Sequence, residues 1–502
     1  MSVTTTTKQK TRGTSAVTEL GYQRPSDWVS VPAMGTSEIV YLVVAVDDVS
    51  DNFVNLQFGF SINNQTVDID WGDGTTSTGI GNAGETHNYD YSTLSATVTS
   101  EGFKTALITV TPSAGNTGSI TIFDISRHHE TGENFASSNY LEMYVNLPDV
   151  YRMYAPTTSA KHRRMRYINI KSYNVDELHI CSYMSSLEQI DLPWQPTSNS
   201  IGLTTQAFAF CHNLKRAPYF DTSSVTDMEQ MFIGCHNLQH VPNYNTSSAT
   251  TVELMFSGCH TLREIPELDF TSVTNMLQFA EDAKSLETVK IKNTGSVTNM
   301  ANAFKNSGLR EFPNLDVSSV TNFASTWFGT QIRELPELNF PTHQADYASA
   351  FSYCKALEKL PDSLANINPT NTYAMFEHAH NVRHVPSFTL TNAASCGRMF
   401  YNTYGLIILD DFDFSGKSAS QMGNMFTQST ALKRIKATGF EDNITIYGEL
   451  SGEAIDEVLT NLPTVTGKTI NFLDHYGWND ATPSIGTAKG WTVTGSDVGA
   501  DA

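Results

Sequence analysis

Cysteine and histidine stand side by side at three places in the sequence, and these residue types could bind a metal ion. The pairs are Cys211–His212, Cys235–His236 and Cys259–His260, and His378, His380 and His384 form a second group. Thiolate and imidazole are the ligands that zinc prefers. However, the pairs recur at one position of a repeated block, and side chains of neighbouring in-register turns cannot easily converge on one ion. We therefore interpret these cysteines, together with Cys354, as small buried residues, and we predict no metal site.

Two groups of aspartates offer other chemistry. Asp68, Asp70 and Asp73 could gather a Ca²⁺ ion with carboxylate oxygens, but aspartates in a turn also serve local backbone hydrogen bonds, and we favour that interpretation. Asp410, Asp411 and Asp413 could line a groove as in a glycosidase, although clustered acids on a turn of an acidic protein explain them as well. The sequence has no nucleophile elbow, P-loop, dinucleotide fingerprint or zinc-protease motif. We predict no catalytic residues, no cofactor and no enzymatic activity.

A block of about 24 residues repeats from Ile201 to Thr438 and predicts a solenoid. Each block has an S-V-T-type segment, then an aromatic residue at a fixed position, here called the aromatic slot, then an aliphatic pair three apart and often a proline. Ten turns can be counted, with Ala280 as the one gap among the slots. We predict that the slot residues form the solenoid core: Phe208, Phe232, Phe256, Phe304, Trp327, Phe351, Phe376, Phe400 and Phe426.

The two halves of each block predict different secondary structure. The aliphatic pair before the proline is typical of a short strand. Met228, Met231, Phe232 and Cys235 fall at i, i+3, i+4 and i+7, which is the pattern of one face of a helix. The sequence therefore predicts an α/β solenoid whose stacked turns build one continuous core.

The repeat resembles the bacterial surface-protein leucine-rich repeats of the BspA-like type, the DUF285 group. The resemblance rests on segments such as Ser224-Val225-Thr226-Asp227-Met228 and on Cys235 to Pro242, CHNLQHVP. It implies a leucine-rich-repeat fold that serves adhesion or protein binding rather than catalysis.

Upstream, residues Ser37 to Ser126 contain alternating runs rich in β-branched and aromatic residues, which predict an antiparallel β-sandwich. The runs are Ile39 to Val46, Val54 to Ile62, Val67 to Trp71 and Ala106 to Thr111. Trp71-Gly72-Asp73-Gly74 and His87-Asn88-Tyr89 are similar to elements of PKD-type immunoglobulin-like domains. Downstream of the repeats, Glu453 to Leu462 predicts a helix, and Lys468 to Phe472 and Trp491 to Thr494 predict strands that cap the solenoid.

The predicted organisation has five parts. They are an extended N-terminal arm (1–36), a PKD/Ig-like β-sandwich (37–135), a transition and N-terminal cap (136–200), the solenoid (201–438) and a C-terminal α/β cap (439–502).

The segment Gly21 to Pro32 resembles an N-terminal segment of structural proteins of marine tailed phages, where it precedes a similar WGDG-containing domain. This resemblance implies that Tyr22, Arg24, Pro25 and Trp28 dock the chain to a particle. The arm would then bind other virion proteins.

Charge and hydropathy limit the partners. The net charge is −21, with 31 basic against 52 acidic residues, which argues against nucleic acid. A basic run from Lys161 to Arg166 is interpreted as a solvated edge or a contact with an acidic partner. No stretch is apolar enough to span a membrane, and the Thr-rich start is unlike a signal peptide. Six cysteines are too few for a disulfide scaffold.

These observations lead to one main hypothesis and one alternative. The main hypothesis is a non-enzymatic phage virion protein, assembled in the host cytoplasm as a homo-oligomer. It would be either a tail-fibre or host-attachment adhesin or a capsid or neck decoration. The solenoid would present a surface for host protein or glycan, with Tyr219, Tyr244 and Tyr353 as exposed candidates. The alternative is a bacterial cell-surface adhesin of the BspA-like type.

Overall fold

The fold was analysed in a computed structural model of the chain. It describes residues 22–48, 52–125, 139–150, 152–154, 164–171, 177–179, 181–192 and 205–497. The residues before 22, which include most of the predicted arm, lie outside the described part, as do 193–204 at the start of the predicted repeats.

Seven strands form the N-terminal region. They are β1 (Ile39–Val46), β2 (Phe53–Phe60), β3 (Val67–Asp70), β4 (Thr76–Ile80), β5 (Glu85–Asn88), β6 (Lys104–Pro112) and β7 (Ile120–Asp124). β1, β6, β3 and β4 lie in that order in one sheet, β7, β2 and β5 lie in another, and all of these pairs are antiparallel. Val40 and Leu42 of β1 and Val54 and Leu56 of β2 are fully buried in one shared core. Alternate residues of these strands therefore face the shared core, and the other face of β1 is also buried, with Val43 and Ala45 in a second, smaller core.

Both N-terminal sheets continue into the solenoid. The next strands are β8 (Tyr140–Asn146), β9 (Arg152–Tyr154), β10 (Tyr167–Ile170), β11 (Glu177–His179) and β12 (Gln189–Asp191). β8 pairs antiparallel with β1 on one side and parallel with β10 on the other, and β10 pairs parallel with β12. In the second sheet, β7, β9 and β11 are parallel in the same way. Strands β8 and β7 are thus shared between the sandwich-like region and the first turns of the solenoid.

The chain then forms a β-solenoid with about 13 turns, so the prediction of a repeat solenoid is confirmed. Its regular strands are short: β13 (Glu264–Asp269), β14 (Thr288–Lys292), β15 (Gln344–Asp346), β16 (Asn368–Asn371), β17 (His384–Val385), β18 (Ile408–Leu409) and β19 (Arg434–Ile435). Two 3-10 helices, Thr294–Ser296 and Asp362–Asn366, lie between them. The prediction of ten turns is wrong because β8, β10 and β12 already stack as turns but lack the S-V-T segment and the aromatic slot.

The predicted α/β character is also wrong, because the half of each turn that contains the slot is a chain of tight turns and not a helix. Two positions in every block have left-handed backbone conformations, two residues before and two residues after the slot. Around Phe232 these are Gln230 (φ 56°) and Gly234 (φ 69°). Left-handed residues interrupt a right-handed helix. The apolar spacing of three and four residues is therefore compatible with both structures.

Hydrogen bonds between turns replace those of a helix. Around Phe232, alternate N–H groups donate to the next turn: Gln230 to the Glu253 carbonyl (2.8 Å), Phe232 to Met255 (3.0 Å) and Gly234 to Ser257 (2.8 Å). The same pattern holds one turn later, from Leu254 to Leu277 and from Phe256 to Phe279. The turns of the solenoid are thus joined by backbone bonds even where no strand forms.

All nine predicted slot residues are buried, with at most 1% exposure. Phe208, Phe232 and Phe256 stack face to face at 5.3 and 5.8 Å, and Trp327, Phe351, Phe376, Phe400 and Phe426 continue in the same way. At the Ala280 gap, Phe279 fills the space and meets Phe256 edge to face at 5.5 Å. The column of rings is therefore continuous through the one turn whose slot residue is small.

Strands and helices cover the C-terminal end of the solenoid. They are β20 (Ile444–Tyr447), α1 (Gly452–Asn461), β21 (Lys468–Leu473), a 3-10 helix (Trp478–Asp480), α2 (Ser484–Thr487) and β22 (Trp491–Gly495). The Ala454 N–H donates to Ser451 Oγ (3.2 Å), which caps the first turn of α1. Ile455, Val458 and Leu459 on one face of α1 are buried in the core. Within the described ranges, no helix combines the length and apolarity needed to cross a membrane.

The left-handed backbone gives a first prediction at Ser349, which has φ 54°. Ser349→Val should lower the free energy of unfolding by about 1–2 kcal/mol relative to Ser349→Gly, because a β-branched residue is strained in this conformation. Urea unfolding of the two variants measures the difference. Ser257, which lies outside the left-handed positions, is the control: there Gly should be no better than Val. Equal stability of the two Ser349 variants would contradict the assigned backbone.

A second prediction concerns His475, which is fully buried in the C-terminal cap. Its Nδ1 accepts the Leu450 N–H (3.1 Å), and its Nε2–H donates to the Ile446 carbonyl (3.1 Å). Burial lowers the pKa of His475 below its ordinary value. The unfolded chain therefore binds the proton more readily, and the cap should lose stability as the pH falls below about 6.5.

Hydrogen exchange at the Leu450 amide, compared at pH 7.5 and 5, measures this loss of stability. His475→Gln can make both hydrogen bonds but does not titrate, so its cap should show a weaker pH dependence. An identical pH dependence in the two proteins would contradict the assignment of the pH effect to His475.

Candidate recognition surface

The four residues predicted to dock to a particle lie in a segment, Tyr22 to Met34, that packs on the chain's own sheet. We call this segment the strap. The Tyr22 ring stacks on Tyr167 at 5.3 Å, and the Tyr22 N–H donates to Gln189 Oε1 (2.7 Å). Trp28 is 4% exposed and packs with Phe103 and Leu141 in a small separate core. The carbonyl of Pro25 accepts the Trp28 N–H (3.4 Å). Within this chain, Tyr22 and Trp28 therefore fasten the strap to β8, β10 and β12.

A buried carboxylate anchors the strap. Glu142 of β8 is fully buried and accepts hydrogen bonds from Tyr22 Oη (2.9 Å) and Arg24 Nε (2.9 Å). Burial raises the pKa of Glu142 above its ordinary value, while the Arg24 charge opposes that shift. Burial also raises the pKa of the adjacent Tyr144 to about 12. Arg24 is thus the counterion of a charge that has no access to water.

Arg164 and Arg166 from the predicted basic run lie beside the strap. Arg164 pairs with Asp47 (2.7 Å), Arg166 pairs with Glu101 (2.5 Å), and the Arg166 guanidinium lies 5.3 Å from the Trp28 ring centre. Both cations therefore serve internal contacts. Residues 161–163 of the run lie outside the described part of the chain.

The three aspartates that could have bound Ca²⁺ are engaged separately. Asp68 Oδ1 accepts from Gly79 N–H (3.0 Å) and Ser113 Oγ (2.6 Å), Asp70 Oδ1 accepts from Gly72 N–H (2.9 Å), and Asp73 Oδ1 accepts from Thr75 N–H (2.9 Å). The other oxygen of Asp73 meets His87 Nε2 at 2.8 Å, and His87 stacks on Trp71 at 4.6 Å. Asp70 and Asp73 therefore form local hydrogen bonds of the WGDG turn, whereas Asp68 joins β4 to the residue that follows β6.

The repeated cysteines have one structural role. Cys235 Sγ donates to the Phe208 carbonyl (3.0 Å) and Cys259 Sγ to the Phe232 carbonyl (3.2 Å), each reaching the slot residue of the preceding turn. Thr403 and Ser429 make the same contact with Phe376 (3.1 Å) and Phe400 (2.5 Å). The position therefore takes a small buried side chain, which is a donor in these four turns and alanine at Ala283 and Ala379. All six cysteines are buried and unbridged.

The neighbouring histidines form a stack. His212, His236 and His260 lie 4.5 Å apart with rings within 8° of parallel. Burial, followed by the charges of the two neighbouring histidines, lowers the pKa of His236. Over the part of the chain that the structure describes, no three His, Cys, Asp or Glu side chains converge to hold a metal ion. His384 instead meets Asp410 (2.9 Å), away from His378 and His380.

The acidic run near the C-terminal end also forms local contacts. Asp410 bonds His384 and Lys436 (3.2 Å), and Asp413 Oδ1 accepts from Ser415 N–H (3.0 Å). Although burial opposes the shift, Lys436 and His384 hold the pKa of Asp410 below its usual range. A general acid of the glycosidase type needs a raised pKa.

An open groove of about 880 Å³ lies beside Arg310, Phe312 and Arg333. Glu311 and Glu334 line it, both are exposed, and Glu334 pairs with Lys359 (2.5 Å). Carboxylates in this setting lack the buried environment of a catalytic acid.

Aromatic and imidazole rings collect on one face of the later turns. We call Phe328, Tyr353, His378, His380, Tyr401 and Tyr404 the ring cluster. Tyr353 stacks on His378 (4.4 Å) and meets Phe328 at a tilt (5.1 Å). His378 meets Tyr401 (5.9 Å) and His380 (5.7 Å), and His380 meets Tyr404 (4.9 Å). These rings come from four successive turns, one to four residues after the slot. The register of the solenoid therefore brings them into one surface.

Polar groups border the ring cluster. The Arg398 guanidinium lies 4.2 Å from the Tyr401 ring centre and pairs with Glu377, which is nearly buried. Asn402 Nδ2 lies 3.3 Å from His378 Nε2. Burial is the main cause of the lowered pKa values of His378 and His380, so both rings are neutral at pH 7. Tyr353 and Tyr404 are exposed at 38% and 43%.

Two of the three tyrosines that we expected to be exposed are so. Tyr219 and Tyr353 are exposed, but Tyr244 is 3% exposed and its hydroxyl donates to the Pro218 carbonyl (2.6 Å). The prediction for Tyr244 is wrong because its ring packs against Phe232 in the core. The sequence analysis did not find the ring cluster, because its members lie about one block apart in the sequence. Only the length of the repeat could have indicated that they lie side by side in the fold.

The fold and these surfaces define a repeat-built β-solenoid with an exposed ring cluster. Residues 203–312, 287–387 and 343–439 each match the family described as Mycoplasma protein of unknown function, DUF285. Together these matches cover a little under half of the chain, and they confirm the repeat as DUF285-like. Comparison with curated proteins gives no match.

The buried carboxylate gives a third prediction. Arg24→Ala should lower the free energy of unfolding by about 3 kcal/mol, because it leaves the Glu142 carboxylate buried without its counterion. Urea unfolding followed by tryptophan fluorescence measures the loss. Arg263, whose pair with Glu287 is 4.0 Å long and largely exposed, is the control, and Arg263→Ala should cost less than about 1 kcal/mol. Equal losses in the two variants would contradict the buried-pair assignment.

Proposed function

We propose that this protein is a non-enzymatic structural protein of a phage virion and that its solenoid is an interaction surface. The observation that carries the interaction role is the ring cluster, which exposes tyrosines beside an arginine on a framework fixed by backbone bonds between turns. Tyrosine and arginine are the residues that dominate binding energy at recognition surfaces. A surface of this kind suits a tail-fibre or host-attachment adhesin, or a decoration of the capsid or neck.

The virion location is supported by the resemblance of Gly21 to Pro32 and of the WGDG-containing region to structural proteins of marine tailed phages. Because the strap is fastened to β8, β10 and β12, we assign docking to residues 1–21 rather than to Tyr22, Arg24, Pro25 and Trp28. The partners in this proposal are other virion proteins and further copies of the same chain. Neither nucleic acid nor a membrane is a partner in it, in keeping with the net charge of −21.

A second candidate function is that of a bacterial cell-surface adhesin. The match of residues 203–439 to a family described from Mycoplasma favours it. In both candidates the solenoid binds a ligand, and the two differ in what holds the N-terminal region.

A fourth prediction tests the location. Deleting residues 1–21 should abolish incorporation into phage particles while leaving the solenoid folded, because every strap contact is retained. Quantitative mass spectrometry of purified particles measures incorporation, and circular dichroism checks the fold. Tyr219→Ala, which changes one exposed ring far from the arm, should be incorporated normally.

Normal incorporation of the deletion variant would reject docking through residues 1–21. Absence of the full chain from particles, with antibody labelling of the bacterial surface instead, would replace the virion role by the adhesin.

A further inference from the structure

The exposed large hydrophobic side chains are unevenly distributed. Among the described residues they are Ile62, Val98, Tyr219, Tyr353, Tyr373, Tyr404 and Tyr476. Tyr353, Tyr373 and Tyr404 come from three successive turns. Single exposed apolar residues are ordinary, but a local concentration of them indicates a binding site.

The backbone at the ring cluster is strained. Tyr353 and His378 occupy the left-handed position two residues after the slot, each with φ 58°. In three other turns this position is glycine, at Gly234, Gly258 and Gly329, and in the rest it is Phe210, Asp282, Asn306, Asn402 or Gln428. A bulky residue in this conformation costs about 1–2 kcal/mol, and two such residues on an exposed surface indicate that the side chains are retained for function.

Hydrogen-bonding groups lie between the rings. Arg398 and Glu377 form an ion pair, and Asn402 is 7% exposed. Within the described structure, His380 Nε2, Arg398 Nε and Asn402 Oδ1 have no hydrogen-bond partner. Three unpaired polar atoms of neighbouring turns provide hydrogen-bonding capacity that a polyhydroxylated ligand could use after small side-chain rotations.

The size of the patch separates a sugar from a protein partner. Tyr353 and Tyr404 are two turns apart, or about 10 Å along the axis at the usual strand spacing of about 4.8 Å. This is the scale of a disaccharide. A stable protein interface usually buries about 800 Å² and about 20–30 residues on each partner, whereas the exposed tyrosines of this patch come from only three turns.

The local charge is compatible with neutral and acidic sugars. The net charge of the chain is −21, yet the ionised groups of the patch are Lys355, Arg398 and Glu377, with His378 and His380 neutral. The patch is therefore slightly basic on an acidic protein, and a carboxylated sugar would not be repelled.

We propose that the ring cluster binds a glycan, with pyranose rings packed on Tyr353 and Tyr404 and sugar hydroxyls hydrogen-bonded to Arg398, Glu377 and Asn402. This inference deepens the interaction role proposed above and rests on it. A sugar has an apolar C–H face and a polar edge, which correspond to the tyrosine rings and to the polar side chains between them.

A fifth prediction tests the inference. The full chain is applied to an array of neutral and acidic oligosaccharides that includes fragments of bacterial surface polysaccharides, and retained sugars are titrated by calorimetry. Tyr404→Ala should weaken binding about tenfold or more, whereas Tyr404→Phe keeps the ring and should bind nearly as well. Tyr219→Ala and Tyr476→Ala remove rings elsewhere that are more exposed than Tyr404, and they should leave binding unchanged.

A separate variant distinguishes a binding role from a structural one. Tyr353→Gly relieves the left-handed strain and Tyr353→Ala does not, so the Gly variant should have the higher melting temperature of the two, while both should lose glycan binding equally. A loss of binding that instead follows the loss of stability would indicate a purely structural Tyr353.

The outcomes are distinct. No oligosaccharide retained above the level of a Tyr353→Ala/Tyr404→Ala variant, or equal binding by that variant, would overturn the glycan inference. A purified protein ligand that requires the same tyrosines would also overturn it, while leaving the proposed interaction role in place. Failure of the proposed virion role would appear in the particle measurements alone and would not alter the array result.

Discussion

Hydrogen bonds from each turn to the next are the interaction on which the rest of this structure depends. At the slot of one turn, the Phe232 N–H donates to Met255, and the left-handed residues on either side direct the neighbouring alternate N–H groups the same way. This register places equivalent residues of successive turns about 4.8 Å apart. The stacked slot rings, the donor position shared by Cys259, Thr403 and Ser429, and the histidine stack all follow from it. A side chain in one turn is thus selected largely by the side chain in the next.

In the N-terminal region, paired strands set the same register between turns. Strand β8 completes an antiparallel sheet with β1 and also offers its other edge to β10, so the solenoid grows from an existing sheet edge and needs no separate cap there. The strap then covers the outer side of this junction. Glu142 lies at the centre of the junction. A buried ion pair of this kind contributes more to the selection of a single packing arrangement than to stability. The junction, with Arg24 and Tyr22 fixed to β8, is therefore a rigid connection between the two parts of the chain.

How much the sequence could predict depended on whether a feature repeats. The period, the slot residues and the strands of the N-terminal region and the C-terminal cap could be predicted, since each is set by local composition or spacing. The helix was a wrong prediction because Met228, Met231, Phe232 and Cys235 have the same spacing in a chain of left-handed turns. Gly234, Gly258 and Gly329 at one position were the signal against a helix. Phe279 in place of Ala280, the buried Tyr244 and the ring cluster depend on contacts between turns, which spacing within one block does not show.

Under the proposed glycan role, function and stability oppose each other at one position of the repeat. Two residues after the slot, glycine satisfies the left-handed backbone at no steric cost, and asparagine, as at Asn306 and Asn402, does so at little cost. Tyr353 and His378 accept the larger cost in adjacent turns, where their rings stack at 4.4 Å. The stack recovers part of the strain, since an aromatic pair contributes about 0.5–1.5 kcal/mol beyond its buried area. A solenoid can tolerate such a loss because each turn contacts only its neighbours, so strain in two turns leaves the distant ones unaffected. The same locality would let the ring cluster change its residues, and with them the ligand of the proposed site, without altering the slot column beneath it.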